Sequence, residues 1–238
     1  MPGSGPAAVA AQLRLVGRFL DEVVGEPVTL VGHSLGGVLA LLHAATHPVG
    51  VEGLVLLSPP TPRPTALPVD PVLTARLALL RTPGVAAVVR RTAARRTPAE
   101  LVTAQLQRAT PHRDRIPPDA VAAATTEATE RTRRSDAAAA DAAQWQAILG
   151  VVARFTRPRA WRRTVAQVTA PTLWLHGQDD PLAPIAPAQA LAATRPDWPF
   201  VVLPGVGHLP HLENATAVAE RLLPWLLHRP GDSVSGTR

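Results

Sequence analysis

The sequence predicts an α/β fold in which helices cover both faces of a mostly parallel sheet. The first observation is a set of four short apolar runs with the composition of buried strands, at residues 28–31, 53–58, 172–176 and 200–203. Continuous apolar runs are typical of parallel strands, because both faces of such a sheet are covered. The second observation is that segments with helical spacing of apolar residues lie between these runs, which is the order of a layered α/β domain.

Length and composition agree with one globular domain. The chain has 238 residues and 46% of them are apolar, which is enough for one large core. The absence of cysteine excludes disulfides, thiolate metal ligands and a cysteine nucleophile. No apolar run approaches the roughly 18 residues of a membrane-spanning helix, and the first residues lack the pattern of a signal peptide. We therefore expect a cytoplasmic protein with no membrane partner.

Apolar residues at steps of three and four predict four helices that flank the strands. The first runs over residues 6–24 and ends at Gly25, because glycine is common just after a helix. A second helix follows the first strand after a sharp turn, over residues 36–45. Residues 187–194 and 214–228 form the last two, and Pro224 is expected to bend or interrupt the final helix.

A helical insertion is predicted between the second strand and the third. Residues 61–165 contain no convincing strand, are rich in Ala, Arg, Thr and Leu, and are punctuated by proline. We interpret this segment as a cap on a core formed by residues 1–60 and 166–230, with a flexible tail at residues 231–238. The cap helices are expected at residues 70–81, 98–109, 117–134 and 136–154.

The positive charge of the chain is concentrated in the proposed cap. The net charge is +6, and residues 61–165 hold 18 arginines against 8 acidic residues. Only 3% of the residues are aromatic, so the platforms on which nucleic-acid bases stack are missing. The arginines are therefore interpreted as a solvated helical surface, and no nucleic-acid partner is expected.

A serine between two glycines lies at the junction of the first strand and its helix. The sequence Gly32-His33-Ser34-Leu35-Gly36 matches the G-x-S-x-G pattern of a nucleophile elbow, in the strand-turn-helix context that the pattern requires. Such a turn strains the backbone, and side chains at positions 32 and 36 are expected to collide with neighbouring backbone. Ser34 is therefore the candidate nucleophile, at the carboxyl end of the sheet.

The loops after the third and fourth strands carry the residue types that a serine nucleophile needs. A serine hydroxyl requires a general base, and the base requires a carboxylate to orient it. Asp179 and Asp180 follow the third strand, and His208 and His211 follow the fourth. Acid and base candidates thus both lie on loops at strand ends.

With this order of motifs the chain resembles the α/β-hydrolase superfamily, in its capped, esterase-like branch. The elbow, the helical insertion, the Gly177-Gln178-Asp179-Asp180 segment and the Gly205-Val206-Gly207-His208 segment follow one another as they do in that family. The resemblance covers nearly the whole chain. It implies an α/β-hydrolase fold with a mostly parallel sheet and an inserted helical cap.

The resemblance also implies roles for individual residues. Ser34 is the nucleophile, His208 is the general base and Asp180 is the acid that orients it. The N–H of Leu35 supplies one donor of the oxyanion hole. No cofactor is expected, and no metal ion either, since no histidine has the sequence neighbours of a zinc site.

Several neighbours of these residues have other interpretations. Asp180 rather than Asp179 fits the family spacing, and Asp179 is expected to bind local amides of its turn. His211 is the competing base, and otherwise lines the pocket or begins a helix. His33 is expected to pack away from the nucleophile, because a tight turn points adjacent side chains apart, and His176 is expected to be a strand residue.

The family has several strands before the elbow, whereas this chain reaches Ser34 after one helix. We therefore expect that the amino-terminal half of the sheet is absent, and that Val28–Val31 forms an apolar edge open to pairing with another chain. The simplest hypothesis is that Met1 is not the true start, or that the sequence is a fragment of a longer open reading frame. A naturally shortened protein would lack one oxyanion donor.

The resemblance implies a carboxylesterase-like hydrolase (EC 3.1.1) that cleaves a small ester or related carbonyl compound through an acyl-enzyme intermediate. Carbon–carbon bond hydrolysis, lactone opening or acyl transfer to an alcohol would use the same triad, because fold and triad do not fix the substrate. A catalytically impaired fragment that acts as a binding protein is the alternative outside enzymology. The oligomeric state stays open. Candidate linings of the substrate pocket, or packing residues of the cap, are Leu73, Leu77, Leu80, Trp145 and Ile148.

Overall fold

A four-stranded parallel sheet organises the chain. The computed structural model describes residues 5–63, 84 and 96–228. Within them the sheet order follows the chain order, and each neighbouring pair of strands runs parallel. The strands are β1 (Val28–His33), β2 (Val51–Leu57), β3 (Thr172–Gly177) and β4 (Phe200–Leu203). The predicted parallel α/β sheet is confirmed, with strand limits that differ by up to two residues.

Helices precede, separate and follow the strands. Those of the core segments are α1 (Gly5–Phe19), α2 (Leu35–Thr46), α7 (Ile185–Ala192), α8 (Pro210–Glu213) and α9 (Ala215–Leu227). Those between β2 and β3 are α3 (Pro98–Ala109), α4 (Pro118–Arg133), α5 (Ala137–Phe155) and α6 (Pro158–Ala166). The helix expected at 70–81, the tail at 231–238 and the side chains of Leu73, Leu77 and Leu80 lie outside the described residues.

Local sequence explains where two of these helices begin and end. α1 passes into a π-helical turn, Leu20–Val24, and ends at Gly25, whose φ of 73° lets its N–H donate to the Leu20 carbonyl. Thr97 caps the start of α3 with a capping box, in which the side chains of Thr97 and Glu100 each accept the other residue's backbone N–H. Both ends fall within two residues of the predicted limits.

Two prolines belong to helices, at different positions within them. α9 runs through Pro224 without interruption, and the next residue, Trp225, is buried against the sheet and holds that turn in place. Pro158 is the first residue of α6, where a missing N–H costs nothing. Trp161 and Val165, one helical turn apart, are the buried residues of that missed helix.

The core lies on both faces of the sheet. Leu54 and Leu56 of β2 belong to one buried cluster, which also contains residues of α1 and α2. Val55 and Leu57, which alternate with them, belong to a second cluster together with residues of α9. Because successive side chains of a strand point to opposite faces, a strand buried this way must be apolar throughout, as the sequence of β2 is.

β1 lies at one end of the strand order and pairs with β2 alone among the strands of the described residues. Val31 of β1 is 54% exposed, whereas its register partner Val55 on β2 is fully buried. The expectation of an apolar edge at Val28–Val31 is therefore confirmed for the part of the chain that the structure describes. No described helix is long and apolar enough to cross a membrane.

From Pro98 onward, the described residues between β2 and β3 form the four helices α3 to α6 and the turns that connect them. α5 packs along α1, and α6 packs against α2, so these helices also contribute to the core. The division into a core and a cap with limits at residues 61 and 165 stays a prediction.

Replacing Leu56 with alanine should lower the free energy of unfolding by about 2–5 kcal/mol, because it leaves a cavity at a side chain with no exposed surface. The matched control is Leu15→Ala, at a leucine that is 62% exposed, which should change stability by no more than about 0.5 kcal/mol. Urea denaturation of both variants measures the difference. Equal losses would contradict the assignment of β2 to the centre of the core.

Candidate active site

The turn between β1 and α2 has the geometry of a nucleophile elbow. Ser34 adopts φ 52° and ψ −123°, a backbone conformation that side chains rarely adopt. A Cβ added to Gly32 would lie 2.6 Å from the Gly36 carbonyl oxygen and 2.7 Å from the Gly37 nitrogen. The strand and the helix therefore approach each other too closely for any side chain at position 32.

The expectation that a side chain at position 36 would collide with neighbouring backbone was wrong. A Cβ on Gly36 would meet nothing within 4 Å, so position 36 has open space. The close contact is made by Gly37, where a Cβ would lie 2.9 Å from the Gly32 oxygen and 3.1 Å from Pro59. The rotation of α2 turns residue 37, not 36, towards the strand.

The structure brings Ser34, His208 and Asp180 together from three distant parts of the chain. His208 Nε2 lies 2.8 Å from Ser34 Oγ, and His208 Nδ1 lies 2.7 Å from Asp180 Oδ2. His208 and Asp180 are both buried, and Ser34 is half-buried. All three candidate residues of the predicted triad therefore form one hydrogen-bonded chain.

The direction of each hydrogen bond between Ser34, His208 and Asp180 follows from which atoms can only accept. A carboxylate can only accept, so His208 Nδ1–H donates to Asp180. With its proton on Nδ1, the imidazole presents the lone pair of Nε2 to Ser34, whose hydroxyl donates to it. In this tautomer the ring is ready to take a proton from the serine oxygen.

The Asp180 carboxylate is held on both oxygens. Oδ1 accepts the N–H groups of Leu182 and Ala183, each at 2.8 Å, while Oδ2 faces His208. The expectation that Asp179 binds the turn amides was wrong. Its side chain instead lies 2.9 Å from His112 Nε2, outside the turn, because the turn directs residue 180 inward.

His176 is a strand residue, as expected, and it also supports the acid loop. Its Nδ1 accepts from Trp174 Nε1 at 3.2 Å, so its Nε2–H is the donor to the Ala183 carbonyl at 2.7 Å. Burial of the ring lowers the pKa of His176 and keeps it neutral. The sequence signal for this contact was the alternation of Trp174 and His176, which places both on one face of β3.

His33 packs against the loop that carries His208, and its expected direction away from Ser34 stays a prediction. Its Nε2–H donates to the His208 carbonyl at 2.6 Å, and the two ring centres are 4.9 Å apart. Burial lowers the pKa of His33 to about 4, against a smaller opposite effect of that hydrogen bond. The ring is therefore a neutral donor that joins the elbow to the base loop.

His211, the competing base, lies beside these rings. Its ring centre is 4.7 Å from that of His33, and its buried Nδ1 has no hydrogen-bond partner among the described residues. Burial lowers the pKa of His211 as well. In the described part of the chain, the imidazole hydrogen-bonded to Ser34 is that of His208.

Leu35 is the first residue of α2, so its N–H is one of the helix-start amides that have no acceptor inside the helix. Such an amide, at the positive end of a helix and next to the serine, suits an oxyanion. The described residues contain no group of acidic and histidine side chains that could hold a metal ion.

His33 should make stability depend on pH below neutrality. Between about pH 6.5 and 4 the unfolded chain binds a proton at this residue that the folded chain does not, so the free energy of unfolding falls as pH falls through that window. His33→Gln keeps an N–H donor and should show a shallower fall in urea denaturation between pH 7 and 4. The fall is not abolished, because burial also lowers the pKa of His43, His176 and His211. An unchanged slope would contradict the prediction.

Parts of the chain are similar to known enzymes. Over 40 residues, 17% of this chain and 8% of the relative, it is 58% identical to the chloroplastic pheophytinase of Arabidopsis thaliana. Over 61 residues, 26% of this chain and 24% of the relative, it is 44% identical to the pimeloyl-(acyl-carrier protein) methyl ester esterase of Xanthomonas axonopodis pv. citri. The matched segments thus span less than two thirds of these relatives' lengths.

The similarity to solved structures extends over most of the chain. A thermophilic esterase from Thermogutta terrifontis aligns with a TM-score of 0.64 and 25% identity, covering 95% of this chain and 74% of that one. The sequence model of the alpha/beta hydrolase family matches residues 1–221. With esterases among its relatives and a match over more than half of its length, the chain belongs to the alpha/beta hydrolase family.

Proposed function

We propose that the protein is a serine hydrolase that cleaves a small ester or related carbonyl compound through an acyl-enzyme intermediate. The observation that carries the proposal is the unbroken hydrogen-bonded chain from Ser34 Oγ through the His208 ring to the buried Asp180 carboxylate. Membership of a hydrolase family and esterases among the relatives support the same reaction class.

In the first half of the reaction, Ser34 Oγ attacks the carbonyl carbon while His208 Nε2 accepts its proton. The imidazolium that forms is stabilised by Asp180, whose other oxygen stays fixed by two backbone amides. The proton then passes to the leaving alcohol, and the acyl group remains on Ser34. Leu35 N–H donates to the oxygen that becomes negative.

In the second half, His208 accepts a proton from a water molecule, which attacks the acyl carbon. The bond between the acyl carbon and Ser34 Oγ breaks, the acid leaves, and the serine regains its proton. None of these steps requires a cofactor. A small-molecule substrate and a cytoplasmic location remain part of the proposal.

Ser34→Ala should lower kcat/KM for short-chain aryl esters by about 10³-fold or more, because it removes the nucleophile. A spectrophotometric assay of the released phenol measures this change. Ser135→Ala, at an exposed serine, is the matched control and should retain the wild-type value. Equal activity of wild type and Ser34→Ala would refute the proposed nucleophile.

Asp180→Asn should lower kcat by about 10⁴-fold, because an amide in place of the carboxylate no longer fixes the Nδ1–H tautomer of His208. Asp179→Asn makes the same chemical change one residue earlier, where the partner is His112, and should keep kcat within about threefold. The same ester assay compares them. A larger loss at position 179 than at position 180 would reverse the assignment of the acid.

A further inference from the structure

The backbone that carries His208 is held at three consecutive amides. Gly207 N–H donates to Glu213 Oε2 at 2.7 Å, and Leu209 N–H donates to Glu213 Oε1 at 2.9 Å. Between them, His208 N–H donates to the Ala109 carbonyl at 3.0 Å. The base therefore projects from a segment whose position is set by one carboxylate and by the end of α3.

The Glu213 carboxylate is a buried group that has its own partners and no place in the proposed reaction. Glu213 is only 6% exposed, and an ionised carboxylate in such a place is costly unless donors surround it. The third donor is the hydroxyl of Thr110, at 2.7 Å from Oε2. Thr110 is itself buried, and its Oγ1 accepts the N–H of His112 at 2.9 Å.

Sterics show how closely these groups fit. A Cβ added to Gly207 would lie 2.7 Å from Thr110 Oγ1 and 3.0 Å from Glu213 Oε1. Only glycine at position 207 lets the carboxylate and the hydroxyl reach the backbone of the base loop. We call the contact of Glu213 with Gly207, Leu209 and Thr110 the base clamp.

We propose that Glu213 is a positioning residue for His208, and that Thr110 connects this function to α3. The proposal rests on the proposed function, since it concerns the base of that reaction. His208 has to meet Asp180 and Ser34 at once, at 2.7 and 2.8 Å. A displacement of about 1 Å in such a geometry costs roughly 10²-fold in rate.

The proposal gives α3 a role beyond covering the core. Ala109 is the last residue of this helix and Thr110 is the residue that follows it. The Ala109 carbonyl accepts the N–H of His208. The Thr110 hydroxyl donates to the Glu213 carboxylate, which holds the amides on either side of His208. A shift of α3 is therefore transmitted to the His208 backbone through two hydrogen bonds.

The first test is Glu213→Gln, which keeps the size of the side chain but replaces one acceptor oxygen by an NH₂ group facing a donor. We expect kcat for an aryl ester to fall by about 10- to 100-fold, with KM within about threefold, since the base is misplaced and the substrate contacts are not. Hydrogen exchange at Gly207 and Leu209, measured by NMR, should accelerate at least about tenfold.

The second test uses Thr110, because a variant at a buried glutamate also risks failing to fold. Thr110→Val keeps the shape and removes the hydroxyl, and should lower kcat by about 3- to 10-fold. Thr110→Ser restores the donor and should recover most of that loss. Thr172→Val is the matched control: it also removes a buried threonine hydroxyl, one that donates to the Ala170 carbonyl, and should leave kcat within about twofold.

The outcomes separate the two proposals. If wild-type protein hydrolyses no ester and its Ser34 reacts with no serine-directed probe, the proposed function fails. The clamp is then still judged by amide exchange in Glu213→Gln. Unchanged exchange at Gly207 and Leu209 would overturn the clamp. In active protein, equal losses of kcat in Thr110→Val and Thr172→Val, or no recovery in Thr110→Ser, would reduce Thr110 and Glu213 to structural residues and overturn the positioning role.

Discussion

The site depends on one strained turn, in which Ser34 holds a positive φ at the end of a parallel strand. The turn persists because Gly32 and Gly37 let β1 and α2 approach more closely than any side chain at these positions allows. This geometry presents the serine hydroxyl to the His208 ring. It also places the first amide of α2, that of Leu35, directly after the proposed nucleophile in the chain.

The order of the strands explains why the base loop needs so many polar contacts. β1 and β4 lie at opposite ends of the four-stranded order, about 14 Å apart at the usual strand spacing. The loop after β4 therefore folds back across the end of β3, where a Cβ on Gly177 would collide with the carbonyl oxygens of Val206 and Gly207. His33 from the elbow and Glu213 from α8 then hold this loop where His208 reaches the serine.

The sequence was sufficient for features that local patterns determine, and insufficient for those set by tertiary contacts. Apolar runs and the G-x-S-x-G motif located the strands and the elbow, because period and turn chemistry are local properties. The role of Gly37 depends on the rotation of α2, and the partner of His33 lies 175 residues away along the chain. Nothing in the sequence around Glu213 distinguishes a buried carboxylate from an exposed one, because its hydroxyl donor, Thr110, lies 103 residues away along the chain.

In the proposed function, Ser34 is nucleophilic because His208 and Asp180 are joined to it. The most direct measurement is tandem mass spectrometry of the native protein after reaction with a fluorophosphonate, which bonds covalently to activated serine hydroxyls. The expected result is one adduct, on the peptide that contains Ser34, and its loss in a His208→Gln variant whose Ser34 is intact. An adduct on a different serine, or labelling of Ser34 that persists at the same rate without the imidazole, would contradict it.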